Sequence, residues 1–191
     1  MKVLGINGSP RKDGNTAIMI KTVLDELEKE GIETELIQFS KKTIHGCKAC
    51  MICFQNKDKR CALDDDDFNA ILEKMIEADG IILGSPTYFT DVTSEMKGLI
   101  DRAGFVAMAN RRFFRRKSGA AVVAVRRAGS THVFDTLNHF FFINEMMVPG
   151  SSYWNMGIGR EKGEVEKDEE GLKTMRVLGE NMAWMMKRLY E

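Results

Sequence analysis

The chain has 191 residues, and its 28 lysines and arginines balance its 28 aspartates and glutamates. That balance leaves no overall field to draw the molecule to nucleic acid or a membrane surface, and no apolar run approaches the ~20 residues of a membrane span. The length suits one domain with a substantial core, and residues 1–6 are too short and weakly flanked for a secretory signal, so a soluble cytoplasmic protein is expected.

Residues 2–6 are a short apolar run of the kind that makes a buried strand, and the polar, glycine-bearing residues 8–16 follow. An amphipathic helix starts near Thr16 with Met19, Ile20, Val23, Leu24 and Leu27 on one face, and Gly31 is placed to end it. Residues 32–39 read as a second strand, mixed enough in polarity for a sheet edge. Residues 41–63 have no clear period and hold all four cysteines. Asp64, Asp65, Asp66 and Asp67 then precede Phe68, Ile71, Leu72, Met75 and Ile76 at helical spacing. Metal ligation is open to such a run, but acids at a helix start are already explained by capping and the helix dipole.

Residues 80–84 are the most apolar strand candidate, continuous as in the middle of a parallel sheet. A helix is predicted over 94–109, a central strand over 119–125 and a helix over 131–146. A fifth strand is predicted over 147–150, at an edge because of Pro149, and a last helix over 169–190. Strand alternating with helix five times calls for right-handed crossovers and a doubly wound α/β fold with helices on both faces. Strand order 2-1-3-4-5 then puts a ligand crevice at the carboxyl ends of the first and third strands.

Two loops meet at that crevice. Strand, polar loop, then helix aims free backbone N–H groups and a helix dipole at an anion. Ser9, Asn15 and Thr16 add short donors and Arg11 a planar cation, which together suit a phosphate, although an ordinary strand-to-helix turn has the same outline. Asn15 stands where a nucleotide-triphosphate loop needs lysine, and glycines at Gly5, Gly8 and Gly14 do not make the dinucleotide fingerprint. In the second loop, Pro86 stiffens the turn while Thr87, Tyr88 and Phe89 offer backbone donors and aromatic surface. Those serve a flavin ring, or else a turn whose aromatics cover the sheet end. Arg126, Arg127 and Gly129 end the fourth strand on the same rim, as cofactor contacts or as a cap with a surface salt bridge.

Cys47-x-x-Cys50-x-x-Cys53 with Cys61 is the other strong signal. Three cysteines so close can converge on one small inorganic core. Zinc more often takes two separated pairs, so iron–sulfur is favoured over zinc or unligated thiols. The bacterial ferredoxin run ends with a shorter gap and a proline, and neither is present. The basic stretch 110–117 suits a solvated face or subunit contact, and docking of an acidic electron carrier is a second use. His45, His132 and His139 have no triad spacing.

The phosphate loop resembles the Gly-Ser-x-Arg-x-x-x-x-Asn-Thr loop of flavodoxin-like NAD(P)H-dependent FMN reductases, and Ser85-Pro86-Thr87-Tyr88-Phe89 resembles their Ser-Pro-x-Tyr-Phe/Trp loop. With the cysteine motif and Val125-Arg126-Arg127-Ala128-Gly129, nearly the whole chain is similar to the iron–sulfur flavoproteins. The resemblance implies a flavodoxin-like FMN-binding domain over 1–191 with a cysteine-rich insert at about 41–63. It also implies an FMN-dependent oxidoreductase that passes electrons between a low-potential donor, such as ferredoxin or NAD(P)H, and an acceptor. FMN would take Ser9, Arg11, Asn15, Thr16, Pro86, Thr87, Tyr88, Phe89, Arg127 and Gly129. A 4Fe–4S cluster would take Cys47, Cys50, Cys53 and Cys61, and the assembly would be a homodimer or homotetramer. An NAD(P)H-dependent FMN or quinone reductase with idle cysteines, a redox carrier or sensor, and a dehydrogenase for one small metabolite are the alternatives.

Overall fold

A computed structural model describes residues 1–190. Five parallel strands form one sheet in the order β2-β1-β3-β4-β5. They are β1 (Lys2–Asn7), β2 (Glu33–Gln38), β3 (Gly80–Pro86), β4 (Ser118–Val125) and β5 (Met156–Ile158). The helices are α1 (Asn15–Lys29), α2 (Ile52–Asn56), α3 (Phe68–Glu77), α4 (Ser94–Ala109), α5 (Ser130–Ile143) and α6 (Glu169–Tyr190).

Alternation along the strands divides the core in two. Val3, Ile82, Ala120 and Val122 face Met19, Ile20, Val23 and Leu27 of α1 and Met175, Leu178, Met182 and Met186 of α6. Leu4, Ile6, Ile81, Leu83, Ala121 and Val123 face α3, α4 and α5 through Phe68, Ile71, Leu99, Leu137 and Phe141. Because both faces are covered, β3 and β4 are buried almost throughout, which is why their sequences are continuously apolar. The edge strand β2 is only half-buried, and its mixed polarity has the same cause. Gly31 follows α1 with φ +77°, the left-handed stop expected of it.

The fifth strand is not where the sequence suggested. Residues 147–150 make one parallel bridge, Met147 to Ser118, with the Gly119 N–H on Met147 O at 2.8 Å. Pro149 has no N–H with which to extend that ladder. The chain leaves the sheet and returns at Asn155, whose carbonyl accepts the Val123 N–H at 2.9 Å, and β5 runs beside Val123–Val125 from there. Tyr153 and Trp154 therefore precede the strand, exposed, with Trp154 against Phe134 at 5.9 Å between ring centroids.

Candidate functional site

The loop after β1 is fixed from below. The Gly8 N–H donates to Gly84 O at 2.8 Å, and Thr93, the N-cap of α4, donates its hydroxyl to Gly8 O at 2.9 Å. The Ser9 N–H donates to Asn7 Oδ1 and the Arg11 N–H to Ser9 Oγ, so the turn is held by its own side chains. Gly14 precedes α1 and no side chain caps the helix, leaving its first N–H groups aimed past buried Ser9 and Thr16. Both residues, with Arg11 and Asn15, line a cavity of about 270 Å³. Pro86, Thr87, Tyr88 and Ala124 form its opposite wall, so the two predicted loops do meet. Thr87 Oγ1 is buried there without a hydrogen-bond partner, the kind of orphan group that a ligand atom would satisfy.

Arg126, Gly159, Arg160 and Lys162 complete the lining. Arg126 takes the rim position proposed for Arg127, which is exposed outside the cavity. The segment after β5 crosses back over the loop: Arg11 Nη1 donates to Arg160 O at 3.0 Å and Asn15 Nδ2 to Glu161 O at 2.9 Å. The basic Arg160-x-Lys162 pair was the available signal for this wall. Phe89 lies outside it, fully exposed at the tip of a turn closed by Tyr88 and Asp91, with φ +46° and +66° at Phe89 and Thr90. Gly129, at φ +89°, is also outside the lining but braces that turn: a Cβ there would meet Thr87 Cγ2 and Thr90 Cα at 3.1 Å.

The four cysteines are free and line a second cavity, of about 220 Å³, with Leu63, Arg102, Phe105 and Val106. Among the described residues no three His, Cys, Asp or Glu side chains converge as a metal site. The loop nevertheless bends tightly: Ala49, Met51, Lys57 and Lys59 all take positive φ, uncommon for residues with a Cβ. Burial first, then the neighbouring Cys61 and Cys50, push the Cys53 thiol up. All four cysteines line that one cavity, and a four-thiol donor set suits a thiolate-bound cluster.

The acidic run before α3 does little of the capping expected of it, since Asp67, the N-cap, makes no side-chain bond to the helix. Asp66 Oδ1 accepts the Phe68 N–H at 3.1 Å, which is a capping contact. Its other oxygen accepts the His45 N–H at 2.7 Å, and Asp67 accepts from Lys42 Nζ and the Thr43 N–H, both at 2.9 Å. Two of the four acids therefore pin the amino-terminal base of the cysteine loop. In the basic stretch, Arg115 pairs with Glu145 at 2.8 Å and Lys117 donates to Ile76 O and Ala78 O, so much of its charge is used within the molecule.

The model of the NADPH-dependent FMN reductase family matches residues 1–161. An iron–sulfur flavoprotein of Methanocaldococcus jannaschii is 39% identical over 98% of both chains. One of Archaeoglobus fulgidus is 33% identical over 95% of this chain and 94% of the relative. The chain belongs to the iron–sulfur flavoproteins of the FMN reductase family. This iron–sulfur flavoprotein is by that membership an FMN-dependent oxidoreductase. Its fold matches RosB, solved with 8-demethyl-8-formylriboflavin-5'-phosphate, with a TM-score of 0.77 at 20% identity over 99% of this chain and 80% of that one. A WrbA-like flavodoxin of Agrobacterium tumefaciens matches with a TM-score of 0.65 at 15% identity over 98% and 97%. Both likenesses show the flavodoxin-like fold. No described helix of the flavoprotein is long and apolar enough to cross a membrane.

Proposed function

We propose that the cavity between the β1 and β3 loops seats FMN and that the cysteine cavity holds a 4Fe–4S cluster, making the chain an electron-transfer oxidoreductase between a low-potential donor and an acceptor. Ser9, Thr16 and the uncapped start of α1 hold the phosphate, and Arg11 closes over it. Asn15 acts mainly as a strut: its amide bonds to Glu161 O and the Val165 N–H and so holds the 159–165 wall in place. Pro86, Thr87 and Tyr88 seat the ring system, with Arg126 on the rim and Gly129 behind the turn. Cys47, Cys50, Cys53 and Cys61 are the cluster ligands. When bound, the flavin supplies two-electron and the cluster one-electron chemistry, while the protein sets potentials through burial and hydrogen bonds.

One observation carries this reading: the buried, unpartnered Thr87 hydroxyl lies across a cation-lined cavity from an uncapped helix start. Anaerobic purification with a visible spectrum, flavin release and iron and sulfide assays tests it. About one FMN and roughly four irons per chain are expected. Flavin-free protein after incubation with excess FMN overturns the flavin site. Yellow protein that lacks iron after anaerobic reconstitution overturns the cluster.

A second reading, an NAD(P)H-dependent FMN or quinone reductase with idle cysteines, is supported by the match of residues 1–161 to the NADPH-dependent FMN reductase family. It predicts rapid bleaching of the flavin by NADPH without iron. Ferredoxin as donor and a homodimer or homotetramer remain parts of the first reading, tested by reduction with each donor and by solution mass.

A further inference from the structure

We propose that Arg102 is the positioning residue of the cysteine site: one buried guanidinium ties the two ends of the cysteine loop together and presents Cys61 as the fixed ligand around which the other thiols close. The identity of the bound group rests on the cluster reading above; the positioning rests on geometry alone.

A guanidinium has five N–H donors in a rigid fork, and here each finds an acceptor. Nε donates to Cys61 Sγ at 3.4 Å. Nη1 donates to His45 O at 3.2 Å and to Asp66 Oδ2, and Nη2 to Leu63 O at 2.7 Å and Asp66 Oδ1 at 3.2 Å. The side chains of Arg102 and Asp66 are both wholly buried, and the guanidinium carbon stands 3.9 Å from the Phe68 ring centroid. His45 and Leu63 flank the segment that carries all four cysteines, so one group on α4 closes both ends of it. Four residues earlier on α4, Gly98 lets the loop base come close enough: a Cβ there would stand 2.9 Å from His45 O.

Cys61 is held at its backbone as well. Its N–H donates to Asn69 Oδ1 and its carbonyl accepts from Asn69 Nδ2, both at 2.9 Å. Cys47 Sγ, by contrast, meets an N–H of its own loop, from Ala49 at 3.4 Å. The site thus has Cys61 set by α3 and α4, Cys53 half-buried on the short helix α2, and Cys47 and Cys50 on a bent, exposed loop. A charge-balancing pair alone would not need this fork, because buried ion pairs add little stability over an apolar replacement. The fork is needed because two carbonyls, a sulfur and a carboxylate must be bound from one side at once. An N–H on a ligand sulfur also stabilises the more negative, reduced cluster, which raises its potential.

The test compares the full chain with Arg102→Lys and with the charge-neutral pair Arg102→Gln plus Asp66→Asn, which leaves no buried charge unpaired. Hydrogen exchange on the metal-free protein reads loop closure. After anaerobic reconstitution with ferrous iron and sulfide, iron loss to a chelator and the cluster potential read the site. Flavin content and melting temperature report the fold. Faster exchange confined to residues 45–63, iron retention about 10–100-fold weaker and a lowered potential, at parental flavin content, support the proposal. Lysine should restore melting temperature but neither loop closure nor potential, since an ammonium has three donors for five acceptors. Parental exchange, iron retention and potential in both variants overturn it, as does full rescue by lysine. A parent that takes up no iron overturns the cluster reading instead, and the exchange result still decides whether Arg102 closes the loop.

Discussion

At the residue scale, Thr87 separates ligand binding from folding. Its backbone N–H is used, on Ala124 O at 2.9 Å, while its buried hydroxyl has no partner. An unmade buried hydrogen bond costs free energy in the empty site and is regained only when a ligand atom arrives. Thr87→Val keeps the shape and removes the orphan. The metal-free, flavin-free variant should melt at or above the parent, whereas FMN should bind about fivefold more weakly, roughly 1 kcal/mol. Calorimetry and a flavin fluorescence titration check the two halves separately. Asp66 is one of the carboxylates that contribute to the acid dependence. Burial would raise its carboxyl, but the hydrogen bonds from Arg102 and from the His45 and Phe68 N–H groups outweigh it and hold the group below its ordinary 3.8. A depressed folded value contributes stability that is complete above the unfolded value and is lost as pH falls through the folded one. Acid unfolding below about pH 4 should therefore be shallower in the Arg102→Gln, Asp66→Asn pair than in the parent, as read by circular dichroism.

At the scale of elements, α4 is the beam between the two sites. Its N-cap Thr93 bolts the β1 loop, and Arg102 lies nine residues on, about 14 Å along the axis at 1.5 Å per residue. Gly98 stands between them where the loop base presses on the helix. Helix propensity alone would make Gly98→Ala stabilising by about 1 kcal/mol. The contact with backbone His45 O reverses that sign, because main chain cannot swing aside as a side-chain end can, and overpacking costs roughly 1–3 kcal/mol. A lower melting temperature is expected, with the added exchange concentrated near His45. At the other loop, Arg11→Ala with Thr16→Ala should weaken FMN retention much more than it lowers stability: Arg11 is exposed with one hydrogen bond to Arg160 O, and the buried Thr16 loses only its hydroxyl and a methyl. Equal flavin content in variant and parent would count against the phosphate assignment. The element that sequence misplaced, β5, shows the limit of pattern at this scale. Three residues, of which the one buried position is a glycine, carry too little periodicity to compete with the apolar run before Pro149.

For the whole molecule, the two cavities are lined by different residues, with the sheet end and α1 serving one and α4 and the cysteine loop the other. Serine at Cys47, Cys50, Cys53 and Cys61 together should abolish iron uptake and leave flavin content unchanged. FMN at about a hundred times its dissociation constant stabilises by roughly 2.7 kcal/mol, which for a chain of this length is a rise of about 5–10 °C in melting temperature. A scan with and without FMN on the cysteine-free variant checks both statements at once.

The sequence by itself determined the alternation of strand and helix, the buried centre of the sheet, the two loops at its carboxyl edge and the clustered cysteines. All of these are written in residues close together along the chain, where local periodicity, turn chemistry and spacing suffice. Tertiary structure alone decided which rim residues line the cavity: Arg126 instead of Arg127, Tyr88 without Phe89, and a far wall from Gly159, Arg160 and Lys162. It alone also joined Arg102 to Cys61 and made two acids, expected to cap α3, into ties for a loop. These pairings join residues tens to about 150 positions apart in the chain. What sets them is how the sheet, the helices and the loop base pack, and no local pattern encodes that.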